Sequence, residues 1–145
     1  MFLREEKVIN PVKNNSPEYL VFECSGGSMR PLLPNGKKVF VDAGCNDISA
    51  GDCVCFKLDK LFFIHRVVKI SGDKLILDSD SAATDTHQID RSQIIGRLST
   101  KNPLLKSRIG LIYHHISKYF YKRTPGVRVF FRRRFSRTPG VRKRC

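Results

Sequence analysis

Short apolar stretches separated by turn signals run through residues 19–98, and they constrain the fold more than any other feature. They recur roughly every ten residues, and Asp59-Lys60 and Gly72-Asp73 read as hairpin turns between successive stretches. This pattern predicts a mainly β fold, a coiled and mostly antiparallel β-domain. The predicted strands are Tyr19–Cys24, Lys38–Asp42, Asp52–Leu58, Leu61–Ile70, Lys74–Leu77 and Gln93–Leu98.

The segments on either side of this β region differ from it. Residues 1–18 read as a loose, polar lead-in without the apolar core of a signal peptide. Residues 103–121 carry apolar side chains at three- and four-residue intervals, which predicts an amphipathic C-terminal helix. We expect this helix either to pack on the β-domain or to lie on a membrane surface. The predicted domain therefore spans residues 19–121.

Most of the net positive charge lies in the last 24 residues. The net charge is +14, and residues 122–145 contain ten Lys and Arg and no acid, so residues 1–121 have a net charge of only +4. The hexapeptide Arg-Thr-Pro-Gly-Val-Arg occurs there twice, at 123–128 and 137–142. We predict a flexible basic tail whose partner is an anionic membrane surface or a nucleic acid.

The cysteines and the hydropathy indicate a reduced, cytoplasmic protein. The five cysteines form no C-x-x-C pair and are expected to be small buried hydrophobic residues, without a disulfide framework. No stretch approaches the ~18–20 apolar residues of a membrane-spanning helix. We therefore expect a cytoplasmic location, at most peripheral at the membrane, and predict neither a metal nor a cofactor.

Three segments carry residues suited to chemistry. Ser28 follows two glycines and precedes Pro31, a layout that can present a hydroxyl from a sharp turn. His65 interrupts an apolar strand, and Asp80 and Asp85 follow the next one. Each segment alone has a plainer interpretation: a glycine turn, a structural histidine and an acidic surface loop. A serine nucleophile needs a base within hydrogen-bond reach, so the chemistry requires the segments to meet.

Together, in this order, the three segments resemble the signal peptidase I superfamily, which also includes the self-cleaving SOS repressors. Its nucleophile box and the strand after it correspond to residues 27–33 and 51–54. His-Arg-Val at residues 65–67 is similar to the base box of the branch that uses histidine rather than lysine. The resemblance covers roughly half of the chain.

The resemblance implies a serine endopeptidase. Ser28 would attack the scissile carbonyl, His65 would act as general base, and Asp80 or Asp85 would orient the imidazole. The backbone N–H of Ser28 would help to stabilise the oxyanion. With an imidazole base, activity is expected to rise with pH near ~6.5.

The resemblance also implies the kind of substrate. Family substrates carry small residues at the scissile bond and two positions before it, so we predict cleavage of a leader or signal-like peptide. Gly27, Met29 and Pro31, which flank the nucleophile, are the predicted substrate-binding residues. Gly26 stands where many members have a serine that assists the oxyanion, a departure from the family pattern.

Three alternatives stay open. One is a self-cleaving regulator, although such proteins use a lysine base and only 27 residues precede Ser28, with no Ala-Gly bond among them. The second is a non-catalytic β-domain that binds anionic nucleic acid or lipid through its basic tail. The third makes Cys24 the nucleophile, but it lies in a predicted strand without a nearby base.

Overall fold

The computed structural model describes the backbone of residues 2–8 and the full residues 19–81 and 85–123. The described part contains two short 3-10 turns, Arg91–Gln93 and Pro103–Leu105, and one α-helix, α1 (Ser107–Arg123). Its strands are β1 (Phe2–Val8), β2 (Tyr19–Ser25), β3 (Lys38–Asp42), β4 (Cys53–Leu58), β5 (Leu61–Ser71), β6 (Lys74–Asp78), β7 (His87–Asp90) and β8 (Ile94–Ser99).

The strands form one antiparallel sheet that closes on itself. Its order is β1-β2-β3-β8-β4-β5-β6-β7, and a further pairing joins β1 to β5. The six strands from β1 to β5 in this order therefore make a ring, and β6 and β7 extend from β5 beyond it. The prediction of a mainly β, mostly antiparallel domain with a C-terminal helix is confirmed.

Two apolar clusters lie on opposite faces of β4. Cys53 and Cys55 belong to the first, and Val54 and Phe56 belong to the second, as the two-residue period of a strand requires. The first cluster is drawn mainly from strands of the ring, and the second extends under β6 and β7. All four side chains are fully buried, so the sheet is covered on both sides at this point.

Two strands were not predicted from the sequence. Residues 2–8 were expected to be loose, but β1 pairs with both β2 and β5. The four residues of β7 pair with β6. Both pairings use backbone groups and need no apolar alternation along the strand. The tail over residues 124–145 and the rest of the lead-in lie outside the described residues.

The helix α1 packs through its small and polar residues rather than through its apolar ones. Gly110 and His114 are its buried residues, and a Cβ on either Gly110 or Gly51 would overlap atoms of the facing segment. Of the two expected roles of the helix, packing on the domain is carried out by these buried residues and leaves the apolar face open. The side chains of that face, here called the apolar stripe, are between 51% and 61% exposed: Ile109, Ile112, Ile116, Tyr119 and Phe120.

Among the described residues, no helix has both the length and the hydropathy that crossing a membrane requires.

Candidate active site

Ser28 lies in the loop between β2 and β3, held from two sides. The backbone N–H of Gly26, at φ 106°, donates to the Asn35 side-chain oxygen over 2.9 Å. The carbonyl of Ser28 accepts a hydrogen bond of 2.9 Å from the backbone N–H of Ser81, beyond β6. Ser28 is 9% exposed, so the loop presents its hydroxyl at the edge of the core.

His65 meets Ser28 from the middle of β5. Its Nε2 atom lies 3.3 Å from Ser28 Oγ, and the histidine is fully buried. β4 and β6 flank β5 on both sides and fix the position of the imidazole. The prediction that the serine and the histidine lie within hydrogen-bonding reach is confirmed.

The surroundings of the imidazole keep it neutral. The His65 ring lies 5.8 Å from the ring of Phe56, 6.5 Å from that of Phe63 and 5.2 Å from that of His87. Burial lowers the pKa of His65 to about 3, and the charge of Asp85 opposes this shift only in part. The imidazole is therefore unprotonated at neutral pH, which a general base requires, and its pKa lies below the value near 6.5 that we expected.

Asp85 reaches the same nitrogen that faces the serine. Its Oδ2 atom lies 3.5 Å from His65 Nε2, and its Oδ1 atom lies 3.2 Å from His87 Nε2. The other ring nitrogen of His65, Nδ1, has no hydrogen-bond partner among the described residues. The three groups therefore do not form an in-line triad, in which the carboxylate would hold the far nitrogen of the imidazole.

Of the two aspartates between which the sequence left the supporting role open, Asp80 hydrogen-bonds to Arg66 and His114 rather than to His65. Its carboxylate accepts hydrogen bonds of 2.8 and 2.5 Å from Arg66 and lies 3.0 Å from His114 Nδ1. Burial alone would raise the pKa of the Asp80 carboxyl, but the hydrogen bonds from Arg66 and His114 hold it below its usual range. Asp80 is thus a buried structural anion on the other face of β5.

Arg66 joins three segments around this anion. Its guanidinium also donates to the carbonyls of Gly51, over 2.6 Å, and Leu104, over 2.9 Å. Because Arg66 and His65 are neighbours in a strand, they point to opposite faces. In this pair His65 is the candidate base, and Arg66 holds the loops before β4 and α1 against the sheet by hydrogen bonds.

The predicted substrate-binding residues differ in exposure. Pro31 is exposed and Gly27 is half-buried, so both are open to a bound peptide beside Ser28. Met29 is 0% exposed and packs in the first apolar cluster with Leu33. The residue after the nucleophile therefore anchors the loop in the core, and its side chain is closed to a bound peptide in this structure.

Cys24 has the surroundings of an inert thiol. It is 1% exposed, and burial raises its pKa to about 11, so the thiol stays protonated at neutral pH. Cys24, Cys45, Cys53 and Cys55 are free cysteines, and Cys145 lies outside the described residues.

Sequence reasoning missed two histidines. His87 begins β7 and stacks on His65, and His114 reaches Asp80 from the buried face of α1. The spacing Asp85-x-His87 was the available signal for the first, since residues two apart in an extended segment share a face. No such signal was available for His114, because the apolar residues of α1 lie on the exposed face of the helix and His114 lies on the buried one.

Comparison with known proteins identifies the family of the chain. A search of the curated proteins finds the Repressor protein CI of Enterobacteria phage phi80, 28% identical over 75 residues. The match covers 52% of this chain and 32% of the repressor, so the chain matches about a third of that protein. No solved structure matches. The Peptidase S24-like family model matches residues 3–99, which include Ser28, His65 and Asp85. The chain therefore belongs to the Peptidase S24-like family, related to the signal peptidase I proteins that its motifs resemble.

Proposed function

We propose that this protein is a serine endopeptidase with Ser28 as nucleophile and His65 as general base. The observation that carries the proposal is the 3.3 Å separation of Ser28 Oγ from the Nε2 atom of a fully buried imidazole. Burial lowers the pKa of His65 to about 3, so its Nε2 lone pair is free at neutral pH but only weakly basic, and proton transfer from Ser28 depends on Asp85 stabilising the imidazolium.

The reaction follows from these positions. Ser28 Oγ attacks the scissile carbonyl while its proton passes to His65 Nε2, and the imidazolium then gives a proton to the leaving amine. Water attacks the acyl-enzyme, returning one proton through Nε2 to Ser28. Asp85 contributes by stabilising the transient imidazolium from 3.5 Å, rather than by holding its far nitrogen.

The loop that carries Ser28 is also suited to hold the oxyanion. The Ser28 carbonyl is tied to Ser81, and Met29 is anchored in the core, so the backbone at the nucleophile is fixed before substrate binds. We assign the backbone N–H of Ser28 as an oxyanion donor. Losing such a preorganised donor costs about 2.7–4 kcal/mol of transition-state stabilisation.

The proposed substrate is an extended leader or signal-like peptide with small residues at the cleavage site and two positions before it. The half-buried Gly27 and the exposed Pro31 are the residues proposed to contact it. Met29 is left out of this set because the core covers it.

A peptide library with small residues at these two positions tests the proposal. The full chain should release defined fragments, detected by mass spectrometry, whereas Ser28→Ala and His65→Ala should not. Ser25→Ala and His115→Ala are matched controls, because both residues are exposed. Cleavage that survives in Ser28→Ala would overturn the assignment, and no cleavage by the wild type would favour the non-catalytic β-domain.

A self-cleaving regulator is the second candidate, favoured by the match to a protein named as a repressor. Intact-mass measurements on the full chain separate the two. Self-cleavage within one molecule gives new fragments at a rate independent of protein concentration, and Ser28→Ala abolishes it. A peptidase acting on other chains leaves its own mass unchanged while it cleaves the library.

We also propose that the apolar stripe of α1 rests on an anionic lipid surface. Arg108 stands at the start of the stripe and Lys122 and Arg123 at its end, all exposed. Eight further Lys and Arg follow in the sequence over residues 124–145. Apolar burial combined with basic flanks is the chemistry of an interfacial helix, and each basic residue near such a surface contributes about 1 kcal/mol.

Vesicle co-sedimentation tests this location. The full chain should bind vesicles of phosphatidylglycerol and phosphatidylcholine, and Ile112→Asn with Ile116→Asn should weaken binding by about tenfold. Leu61→Asn, which changes an exposed apolar residue on β5, is the control. If the chain bound a single-stranded oligonucleotide but not vesicles, the proposed lipid partner would be wrong and a nucleic acid would take its place.

A further inference from the structure

Three metal-binding side chains converge beside the candidate base. His65, Asp85 and His87 each offer one ligand atom, and the three atoms lie within 4.8 Å of one another. Oδ2 of Asp85 lies 3.5 Å from Nε2 of His65, and its Oδ1 lies 3.2 Å from Nε2 of His87. The two histidine rings stack at an interplanar angle of 23°, and both direct Nε2 at the carboxylate.

The separations fit a tetrahedral ion. With Zn–N and Zn–O bonds of about 2.0–2.2 Å, neighbouring ligands of a tetrahedral zinc ion lie about 3.3–3.5 Å apart. The two separations at Asp85 are close to that range but involve its two different oxygens, and the three ligand atoms lie within 4.8 Å of one another. An ion between the three groups therefore requires the side chains to close in by about 1 Å. Two imidazoles and one carboxylate are also a donor set that zinc takes, with a fourth position left open.

The charges and the exposure of the group also favour a cation. The Asp85 carboxylate places a negative charge beside the Nε2 atoms of both imidazoles, and a cation at that position is attracted to it. His65 is fully buried, whereas the side chains of His87 and Asp85 are 22% and 42% exposed, so the cluster opens to solvent on one side. An ion can therefore enter past Asp85 without unfolding the sheet.

We propose that His65, Asp85 and His87 bind one Zn²⁺ ion, and that the bound ion switches off the proposed peptidase. The ion takes the lone pair of His65 Nε2, the atom that lies 3.3 Å from Ser28 Oγ and must accept its proton. Ser28 then lacks a base. The inhibitory role rests on the proposed function, whereas the binding site does not.

Metal titration of the Ser28→Ala chain tests the site without any catalysis. Isothermal titration calorimetry with Zn²⁺ should show one site, and His87→Gln and Asp85→Asn should each weaken it at least about tenfold. His115→Gln, an exposed histidine on α1, should leave the affinity unchanged. Circular dichroism confirms that each variant is folded. No saturable binding, or equal binding by His87→Gln, would overturn the site.

Cobalt(II) substitution excludes the cysteines as ligands. A site of two histidines and one carboxylate gives visible d–d bands without the near-ultraviolet charge-transfer band of a cobalt–thiolate bond. A thiolate band that disappears in Cys45→Ser would move the ion to Cys45, which is half-buried, and overturn the assignment.

The inhibitory role is measured in the peptide assay. Zinc should abolish cleavage by the wild type, and a chelator should restore it. Each variant is compared with its own zinc-free rate, and His87→Gln should need at least about tenfold more zinc for half-inhibition. A zinc-free wild type without activity would overturn the peptidase and the inhibitory role together, while the calorimetry still decides the site.

Discussion

His65 and Arg66 are consecutive residues of β5 and both are fully buried, yet their surroundings differ in kind. Arg66 donates four hydrogen bonds, two of them to the Asp80 carboxylate, so its charge is balanced. The imidazole of His65 lies among aromatic rings, and its Nδ1 atom has no partner among the described residues. Burial therefore keeps one side chain charged and the other neutral, because hydrogen-bond partners decide which form is stable.

The same comparison separates the two candidate aspartates. Asp80 is 0% exposed and is paired with Arg66, whereas Asp85 is 42% exposed and lies beside His65. Removing a partner of Arg66 should therefore lower the stability of the fold, and removing a partner of His65 should lower the catalytic rate.

The largest expected effect is on catalysis. Ser28→Ala and His65→Ala should each lower kcat/KM for a leader-like peptide by about 10³-fold or more, because either change removes the same proton-transfer unit. The double variant should be hardly worse than either single one. Thermal unfolding by circular dichroism should still show a folded domain, and losses that multiply in the double variant would show that the two residues act separately.

The next effect is on stability. Asp80→Ala leaves the buried Arg66 charge unpaired and should lower the free energy of unfolding by about 3–5 kcal/mol, measured by urea denaturation. Replacing both partners, with Arg66→Met and Asp80→Leu, should cost less than Asp80→Ala alone.

Asp85→Ala is the matched control for that change. This carboxylate is partly exposed and has no buried cation to balance, so its loss should change stability by less than about 1 kcal/mol. The variant should instead lower kcat/KM. Equal destabilisation by the two alanine substitutions would remove the distinction between the aspartates.

A smaller effect on stability is expected where α1 covers Arg66. A Cβ at Gly110 would overlap the Arg66 guanidinium and the Gly51 carbonyl, so Gly110→Ala should cost about 1–3 kcal/mol. Gly44→Ala is the control, because its nearest contact, Asp42 Oδ1, lies at an ordinary 3.7 Å. A neutral Gly110→Ala variant would show that the helix does not approach the sheet so closely.

The sequence was informative where local pattern decides structure. Alternation and turn residues predicted six strands to within one residue at most ends, and the motif boxes predicted that Ser28 and His65 meet. β1 was missed because its pairing with β2 and β5 is made by backbone groups at long sequence separation. Such partners are not visible in the side-chain pattern of one segment.

The parts of the site that the sequence does not decide depend on tertiary contacts. Asp80 and Asp85 are five residues apart in one loop region, so the sequence does not distinguish them. Asp80 is identified as the structural one only by its hydrogen bonds to Arg66 and His114. Met29 looked like a pocket residue beside Ser28 but points into the core. The apolar periodicity of α1 identified the helix but not its buried face, because Gly110 and His114 supply the contact with the domain.

The smallest expected effect is in the pH profile, and it tests the neutral state of His65 directly. A base with an ordinary pKa of about 6.5 would lose about tenfold in kcat/KM between pH 7.5 and pH 5.5. Because burial lowers the pKa of His65 to about 3, the folded enzyme should keep its base unprotonated over this range and lose less than about twofold.

Stability should fall over the same range. The unfolded state binds a proton at His65 below about pH 6.5 while the folded state resists it down to about pH 3, so unfolding becomes more favourable as the pH falls. Activity is therefore measured with a chelator present and with the folded fraction checked by circular dichroism at each pH. An activity loss of about tenfold in a fully folded sample would mean that His65 titrates with an ordinary pKa of about 6.5. Burial would then not keep its imidazole neutral, and the contrast with the charged Arg66 would fail.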